Sequence, residues 1–233
     1  MQIGVIGATG NLGRRVAAEA ARRGHHVTGF TRDASRPHPE VPVATWRSID
    51  VLDPESATAA IGGLDVLVSA YGPGNASQDF DDTMRRSIED PSTFARVAAT
   101  LLKALDAHPS IRLIVIGGTG SLEISPGVVM ADRADHMRAD LEKIGLPGDY
   151  IVAVEGHRAA LNTYRLSNRL WTYLSPPEYA FPGERTGRFR LGGDQLLTDS
   201  DGQSRISFED LAVAVIDEAE LPAHTQRRFT IAY

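Results

Sequence analysis

The sequence predicts an α/β fold of the doubly wound, Rossmann type: a mostly parallel sheet with helices on both faces and a small annex at its C-terminal side. Three observations predict it. Strand-length apolar runs alternate with amphipathic helical stretches along the chain. The runs are continuous rather than alternating with polar residues, as in strands buried on both faces. A glycine-rich turn joins the first run to the first helix. The 233 residues suit one such domain, with a core over about residues 1–175 and the annex over about 176–233.

The elements follow in order. Ile3-Gly4-Val5-Ile6 is the first strand. A helix over about residues 11–23 puts Leu12, Val16 and Ala20 on one face, and Gly24 suits its C-terminal cap. Strands are expected at 26–30 and 43–49. Asp53-Pro54 then reads as an N-cap and first helical position. Residues 65–69 form the fourth strand, a long helix spans about 91–107, and 113–116 is the fifth strand. Beyond it the pattern loosens. Ala134, Met137, Leu141 and Ile144 fit a short helix that Pro147-Gly148 ends. A further helix from Tyr150 to about 165 leads into a strand at 170–174. Residues 176–183 are loop-rich, and a short strand is expected at 189–191. Ser207-Phe208-Glu209-Asp210 reads as a capping box, and a last strand covers 228–232.

Composition narrows the chemistry. Hydrophobic content is 42% and charged content 23%, ordinary for a folded soluble chain. A net charge of -6 disfavours nucleic acid as the main partner. The chain has no cysteine, which excludes disulfides, thiolate metal sites and cysteine nucleophiles. The seven histidines show no close ligand spacing, so no metal site is expected. His157 is expected to be structural or solvated. No apolar run spans a bilayer, and the first strand leaves no room for a signal peptide, so a cytoplasmic location is expected.

Gly7-Ala8-Thr9-Gly10-Asn11-Leu12-Gly13 carries the clearest chemistry. Gly7 permits a tight turn, Gly10 lets backbone come close to phosphates, and Gly13 lets the helix pack on the sheet. Thr9, Gly10, Asn11 and Leu12 would offer amides to a dinucleotide pyrophosphate at the helix N-terminus. Arg32, Asp33 and Arg36 follow the second strand, where the adenosine ribose should lie. The arginines favour a 2′-phosphate, hence NADP over NAD, while Asp33 points the other way. Asp50-Val51 could meet the adenine amino group, or Asp50 could serve the next helix start. Ala70-Tyr71-Gly72 follows the fourth strand, and Gly117-Gly118-Thr119 the fifth; both border the same crevice. A hydroxyl in the second loop could bond a substrate carbonyl or the nicotinamide amide. No GxSxG elbow or GxxxxGK phosphate loop is present, so hydrolase and NTPase readings lose support.

With Trp171-Thr172-Tyr173-Leu174-Ser175-Pro176, Pro182-Gly183-Glu184-Arg185-Thr186-Gly187 and Ile206-Ser207-Phe208-Glu209-Asp210-Leu211-Ala212, these motifs resemble the atypical short-chain dehydrogenase/reductase superfamily. The resemblance is closer to its NADH-flavin reductase group, relatives of biliverdin reductase B and flavin reductase, and covers nearly the whole chain. It implies cofactor contacts from the glycine turn, Arg32, Asp50-Val51, residues 70–72 and Ser175-Pro176-Pro177. It places Thr119 at the superfamily's catalytic serine and Tyr150 at the tyrosine of its YxxxK motif. The chain departs there, because Val154 stands where the lysine belongs. Without that cation nothing lowers the tyrosine's pKa from about 10. The expected function is therefore an NAD(P)H-dependent reductase, NADPH favoured, passing hydride to a flat acceptor such as a flavin or quinone. Residues 130–144 would be a lid. A non-catalytic NADP(H)-binding redox sensor is the alternative, and a sugar-nucleotide epimerase or dehydratase comes third.

Overall fold

Eight strands in the order β10-β12-β8-β5-β4-β1-β2-β3 make one sheet, and every pairing in it is parallel except β10 with β12. The computed structural model describes residues 1–36, 38–74, 78–143 and 145–233. The strands of this sheet are β1 (Gln2–Ile6), β2 (His26–Thr31), β3 (Thr45–Ser48), β4 (Val66–Ser69), β5 (Arg112–Ile116), β8 (Trp171–Ser175), β10 (Arg190–Gly192) and β12 (Arg227–Ala232). Two small sheets lie outside it. One pairs β6 (Glu123–Ser125) with β7 (Val128–Val129), and the other β9 (Tyr179–Phe181) with β11 (Arg205–Ser207).

Helices cover both faces. On one side α2 (Pro54–Ile61), α4 (Thr93–Ala107) and α6 (Ile151–Arg165) bury Leu67, Leu101, Leu105, Leu113, Leu161 and Tyr173. On the other, α1 (Gly13–Arg22) and α7 (Phe208–Glu220) bury Val5, Val16, Ile114, Leu211, Val215 and Phe229. Each such side chain contributes roughly 1.5–3 kcal/mol by leaving water. The chain steps from β1 to β2 and β3 in one direction, then from β4 to β5, β8 and β12 in the other. That reversal beside β1 opens a crevice at the carboxyl ends of β1 and β4, where open α/β sheets bind ligands.

Local chemistry sets the ends. Asp53 caps α2 by accepting from the Glu55 amide at 3.0 Å, with Pro54 in the first turn. Ser207 caps α7 by accepting from the Asp210 amide at 3.0 Å. The expected box is only half made. The Asp210 carboxylate turns away to Thr186 Oγ1 (2.6 Å), the Gly187 amide (2.7 Å) and the Tyr233 hydroxyl (2.9 Å). The Tyr233 hydroxyl then accepts from the Ser207 amide at 3.3 Å, completing the cap by another route.

The stretch before α4 holds a helix that periodicity does not predict. This α3 (Phe80–Glu89) buries only Met84 and Ser87. It is held by the Asp79 cap and by Asp82 pairing with Arg85 and Arg86. The helix after the fifth strand is α5 (Ala134–Lys143), and Ile144, expected at its end, lies outside the described residues.

Candidate active site

Four segments meet at the carboxyl edge: the turn after β1, residues 70–72 after β4, 117–121 after β5, and 175–177 at the end of β8. The first is built on two glycines with no room for a side chain. Gly7 has φ +75, and a Cβ there would lie 2.4 Å from the Ala70 carbonyl oxygen. A Cβ at Gly13 would lie 2.1 Å from the Gly7 oxygen, so turn and helix pack backbone on backbone. Gly10 differs, since its Cβ would meet only the Gly7 oxygen, at 3.2 Å. The Gly10 amide donates to Gly7 O at 2.9 Å and so closes the turn instead of facing outward. Helix α1 opens on Leu12 without a capping side chain and without an acid in its first turn. The Arg14 and Arg15 amides turn back to the Gly10 and Leu12 carbonyls, so what the helix start presents to an anion is its positive dipole end. A glycine cradle ending in an uncapped helix N-terminus fits a dinucleotide pyrophosphate.

The C-terminal segments brace this turn. Arg15 donates to the Asn11 carbonyl at 2.7 Å and to Glu209 at 2.6 Å. The other Glu209 oxygen accepts from the Gly183 amide at 2.8 Å. Arg185 donates twice to Glu19 in α1, at 2.8 and 2.9 Å. The motif residues at 182–187 and 206–212 therefore lock the helix that carries the turn, a role no local pattern announces.

At the end of β2, Arg36 pairs with Asp33 at 3.2 Å, and Asp33 also accepts from the Ser35 hydroxyl and amide. Bonds from Ser35 and the Arg36 charge hold the Asp33 carboxyl below its ordinary value. Among the described residues exposed Arg32 has no acidic partner. Asp50 accepts from the Leu52 amide at 2.9 Å, and its own amide donates to Ser56 in α2. It thus serves the approach to that helix. Val51 packs against the core on that side.

The remaining residues surround a small floor. The Tyr71 hydroxyl lies 3.1 Å from Thr93 Oγ1. Thr119 Oγ1 donates to the Pro177 carbonyl at 2.9 Å, tying the β5 loop to the β8 loop and leaving its lone pairs as acceptors. The Gly118 amide points to the Tyr173 hydroxyl at 3.4 Å. Gly72 is exposed, Pro176 half-buried and Pro177 buried.

Sequence reading gave His157 no place in the site. Its ring lies tilted against Phe94 with centroids 3.9 Å apart, and a Cβ at Gly118 would lie 3.0 Å from the His157 side chain, a tight contact. With Ser69, Tyr71 and Tyr173 it lines a cavity of about 20 Å3, room for roughly one water. Burial lowers its pKa to about 4, so the ring is neutral near pH 7. Periodicity puts 157 on a helix but cannot say that its ring faces the β5 loop.

Tyr150 ends the single turn before α6 and packs between two apolar clusters. Burial raises its pKa above the ordinary tyrosine value. Val154 packs against Gly120, so no cation stands four residues on. Among the described residues no cluster of histidines and acids is placed to hold a metal, and no helix is long and apolar enough to cross a membrane.

Comparison with known proteins agrees with this geometry. A family described as NAD(P)H-binding matches residues 7–220. An uncharacterized Bacillus subtilis protein, YwnB, is 30% identical over 233 residues, covering 99% of this chain and 98% of that one. A solved structure from Burkholderia pseudomallei, described as a candidate exported protein, is 36% identical with TM-score 0.80 and covers 100% of both chains. Another, from Streptococcus pneumoniae and described as a candidate NADH-flavin reductase, is 25% identical with TM-score 0.80, covering 100% of this chain and 99% of that one. The turn, the sheet reversal and these matches agree: the chain has a Rossmann-type fold and belongs to the NAD(P)H-binding family.

Proposed function

We propose that this protein is a cytoplasmic NADPH-dependent reductase whose acceptor is a flat conjugated ring, a free flavin or a small quinone. The observation that carries the reading is Tyr150: half-buried against two apolar clusters, with its pKa raised and Val154 in place of a cation. Alcohol oxidation and sugar epimerisation need a tyrosine that gives and takes a proton near neutrality, and this one is poorly suited to it. A flavin or quinone takes hydride on a ring nitrogen or conjugated carbon and its proton from water. The description of the Streptococcus pneumoniae relative supports the same acceptor class.

The reduced nicotinamide, when bound, supplies the hydride. The chain's own residues bind and orient. The glycine turn and the start of α1 hold the pyrophosphate. Arg32, which has no acidic partner among the described residues, meets the 2′-phosphate. The acceptor oxygen of Thr119 orients the nicotinamide amide or the acceptor ring, Pro176 and Pro177 form the wall, and residues 130–143 close over it. His157 adds a neutral apolar face.

Replacing Arg32 by Ala is expected to weaken NADPH binding roughly tenfold or more, the loss of a charge-assisted phosphate contact. NADH binding should not change. Equal loss for both nucleotides would remove Arg32 from the 2′-phosphate. For the chemistry, NADPH oxidation with FMN is followed in Tyr150→Phe, Thr119→Ala and Thr119→Ser. Tyr150→Phe should stay within about threefold of wild type, since it lacks the proton-transfer role. Thr119→Ala should lose about tenfold in kcat with cofactor binding intact, and Thr119→Ser should recover most of it. Unchanged turnover in Thr119→Ala would remove that residue from the site. Collapse in Tyr150→Phe would restore acid–base catalysis and argue for the dehydrogenase reading.

The missing cation also suits a redox sensor that binds NADP(H) and turns nothing over. Tight binding without turnover of any acceptor favours it.

A further inference from the structure

A cavity of about 670 Å3 lies at the end of the sheet opposite the crevice. Trp171 and Arg227, the first residues of β8 and β12, line it, whereas the glycine turn follows the last residue of β1. Its size falls in the range that holds a metabolite-sized ligand. Arg165, Arg227, Arg228 and Gln226 bring donors to it, and Asp194 brings the carboxylate.

Arg228 is already committed. It pairs with Asp194 through both Nε and Nη2 and donates to the Ser121 carbonyl and hydroxyl. The pairing that neutralises Arg228 therefore also occupies the cavity's acid. His224 turns its Nδ1 to Glu218 at 2.8 Å and stacks on Phe229, so it adds no free cation. Two guanidiniums remain. Among the described residues Arg165 donates only to the neutral Asn162 side chain, at 3.2 Å, and Arg227 has no acidic partner. Burial and the Arg228 charge push the Arg165 pKa down, despite Asp194, as expected of a cation short of negative charge.

Gln226 adds an independent sign. It is the non-glycine residue with positive φ, +57, among the described residues. Glycine would adopt that conformation at less cost. The chain instead keeps an amide side chain there, which donates to the Arg169 carbonyl at 3.4 Å while lining the cavity, as strained residues at ligand sites do. Leu191, 60% exposed, supplies an apolar wall.

We propose that this cavity binds a small, multiply charged anion, a phosphate- or carboxylate-bearing metabolite, clamped by Arg165 and Arg227 with Gln226 beside them. It is a second ligand site, separate from the crevice at the carboxyl edge.

The test titrates inorganic pyrophosphate and, separately, citrate into the whole protein by calorimetry. Wild type, Gly10→Val and the double variant Arg165→Gln/Arg227→Gln are compared. At least one probe is expected to bind wild type and Gly10→Val alike, and the double variant roughly tenfold or more weakly. The tighter probe tells phosphate from carboxylate. Gln226→Gly relieves the backbone strain, so it should melt no lower than wild type while binding the probe more weakly. Binding of neither probe overturns the proposal. So does heat that survives in the double variant and disappears in Gly10→Val, because the anion would then sit in the glycine turn.

Discussion

Valine in place of Gly10 is expected to abolish NADPH binding, by at least about 100-fold in Kd, while the protein stays folded. The prediction rests on the difference between the three glycines of the turn. A Cβ at Gly10 finds only the Gly7 oxygen at 3.2 Å, a contact that a small shift relieves. The γ-methyls beyond it fill space that the pyrophosphate needs against the start of α1. Gly13→Ala is expected to behave differently. Its Cβ would stand 2.1 Å from the Gly7 oxygen and 2.6 Å from its carbon, so β1 and α1 must separate. Overpacking of that kind costs about 1–3 kcal/mol. It should lower Tm as well as remove binding. Thermal melts beside NADPH titrations separate the two: Gly10→Val loses binding alone, Gly13→Ala loses both. Retained NADPH affinity in Gly10→Val would contradict the placement of the pyrophosphate.

The largest stability effect is expected at Glu19. Its side chain, on α1, is 5% exposed and bonds Arg22, Arg23 and Arg185 at 2.7–3.0 Å. Glu19→Gln removes the charge these guanidiniums surround. Arg23 keeps Asp217 and Glu220, but Arg185 loses its only ion pair among the described residues. Breaking a buried pair from one side costs about 3–5 kcal/mol, and the partners Arg23 retains place this case near the lower end. For a chain of this size that is roughly 6–12 °C in Tm. The same cluster sets an acid limit. Burial raises the Glu19 pKa, but the three arginines outweigh it and hold the carboxyl well below the ordinary range. A carboxylate with a lowered folded pKa contributes fully above its unfolded value, near 4.5, and loses that contribution as the pH falls below it. Wild-type stability should therefore drop below about pH 4.5, and Glu19→Gln should show a shallower drop. Parallel pH profiles of Tm would contradict the clamp.

The elements legible in the sequence were those whose cause is local. Gly10 and Gly13 state the first turn because each answers to Gly7, within six residues, whereas Gly7 itself answers to Ala70 across the sheet. Asp53-Pro54 and Ser207 state helix starts for the same reason. Helix α3 was not legible, since its support is charge pairing around Asp82 and not an apolar stripe. The strands β9 and β11 were missed because a three-residue strand has no periodicity to read, and their pairing joins residues about 26 apart in the chain.

In the site, the turn and the loops after β4 and β5 follow from their place at strand ends. The tie from Thr119 to Pro177 and the brace from Glu209 through Arg15 to Asn11 join distant segments. The half-made capping box has the same origin: Asp210 is claimed by Thr186, Gly187 and Tyr233, none of them near it in sequence.

The most direct test is hydride transfer in a single experiment. The protein is titrated with NADPH and with NADH without oxygen, then mixed with FMN or a small quinone while the nicotinamide absorbance is followed. Saturable binding, tighter for NADPH, and acceptor-dependent loss of absorbance are the predicted result. Saturable binding with no loss for either acceptor would contradict the reductase and favour the redox sensor. No binding of either nucleotide would contradict the reading of the turn itself.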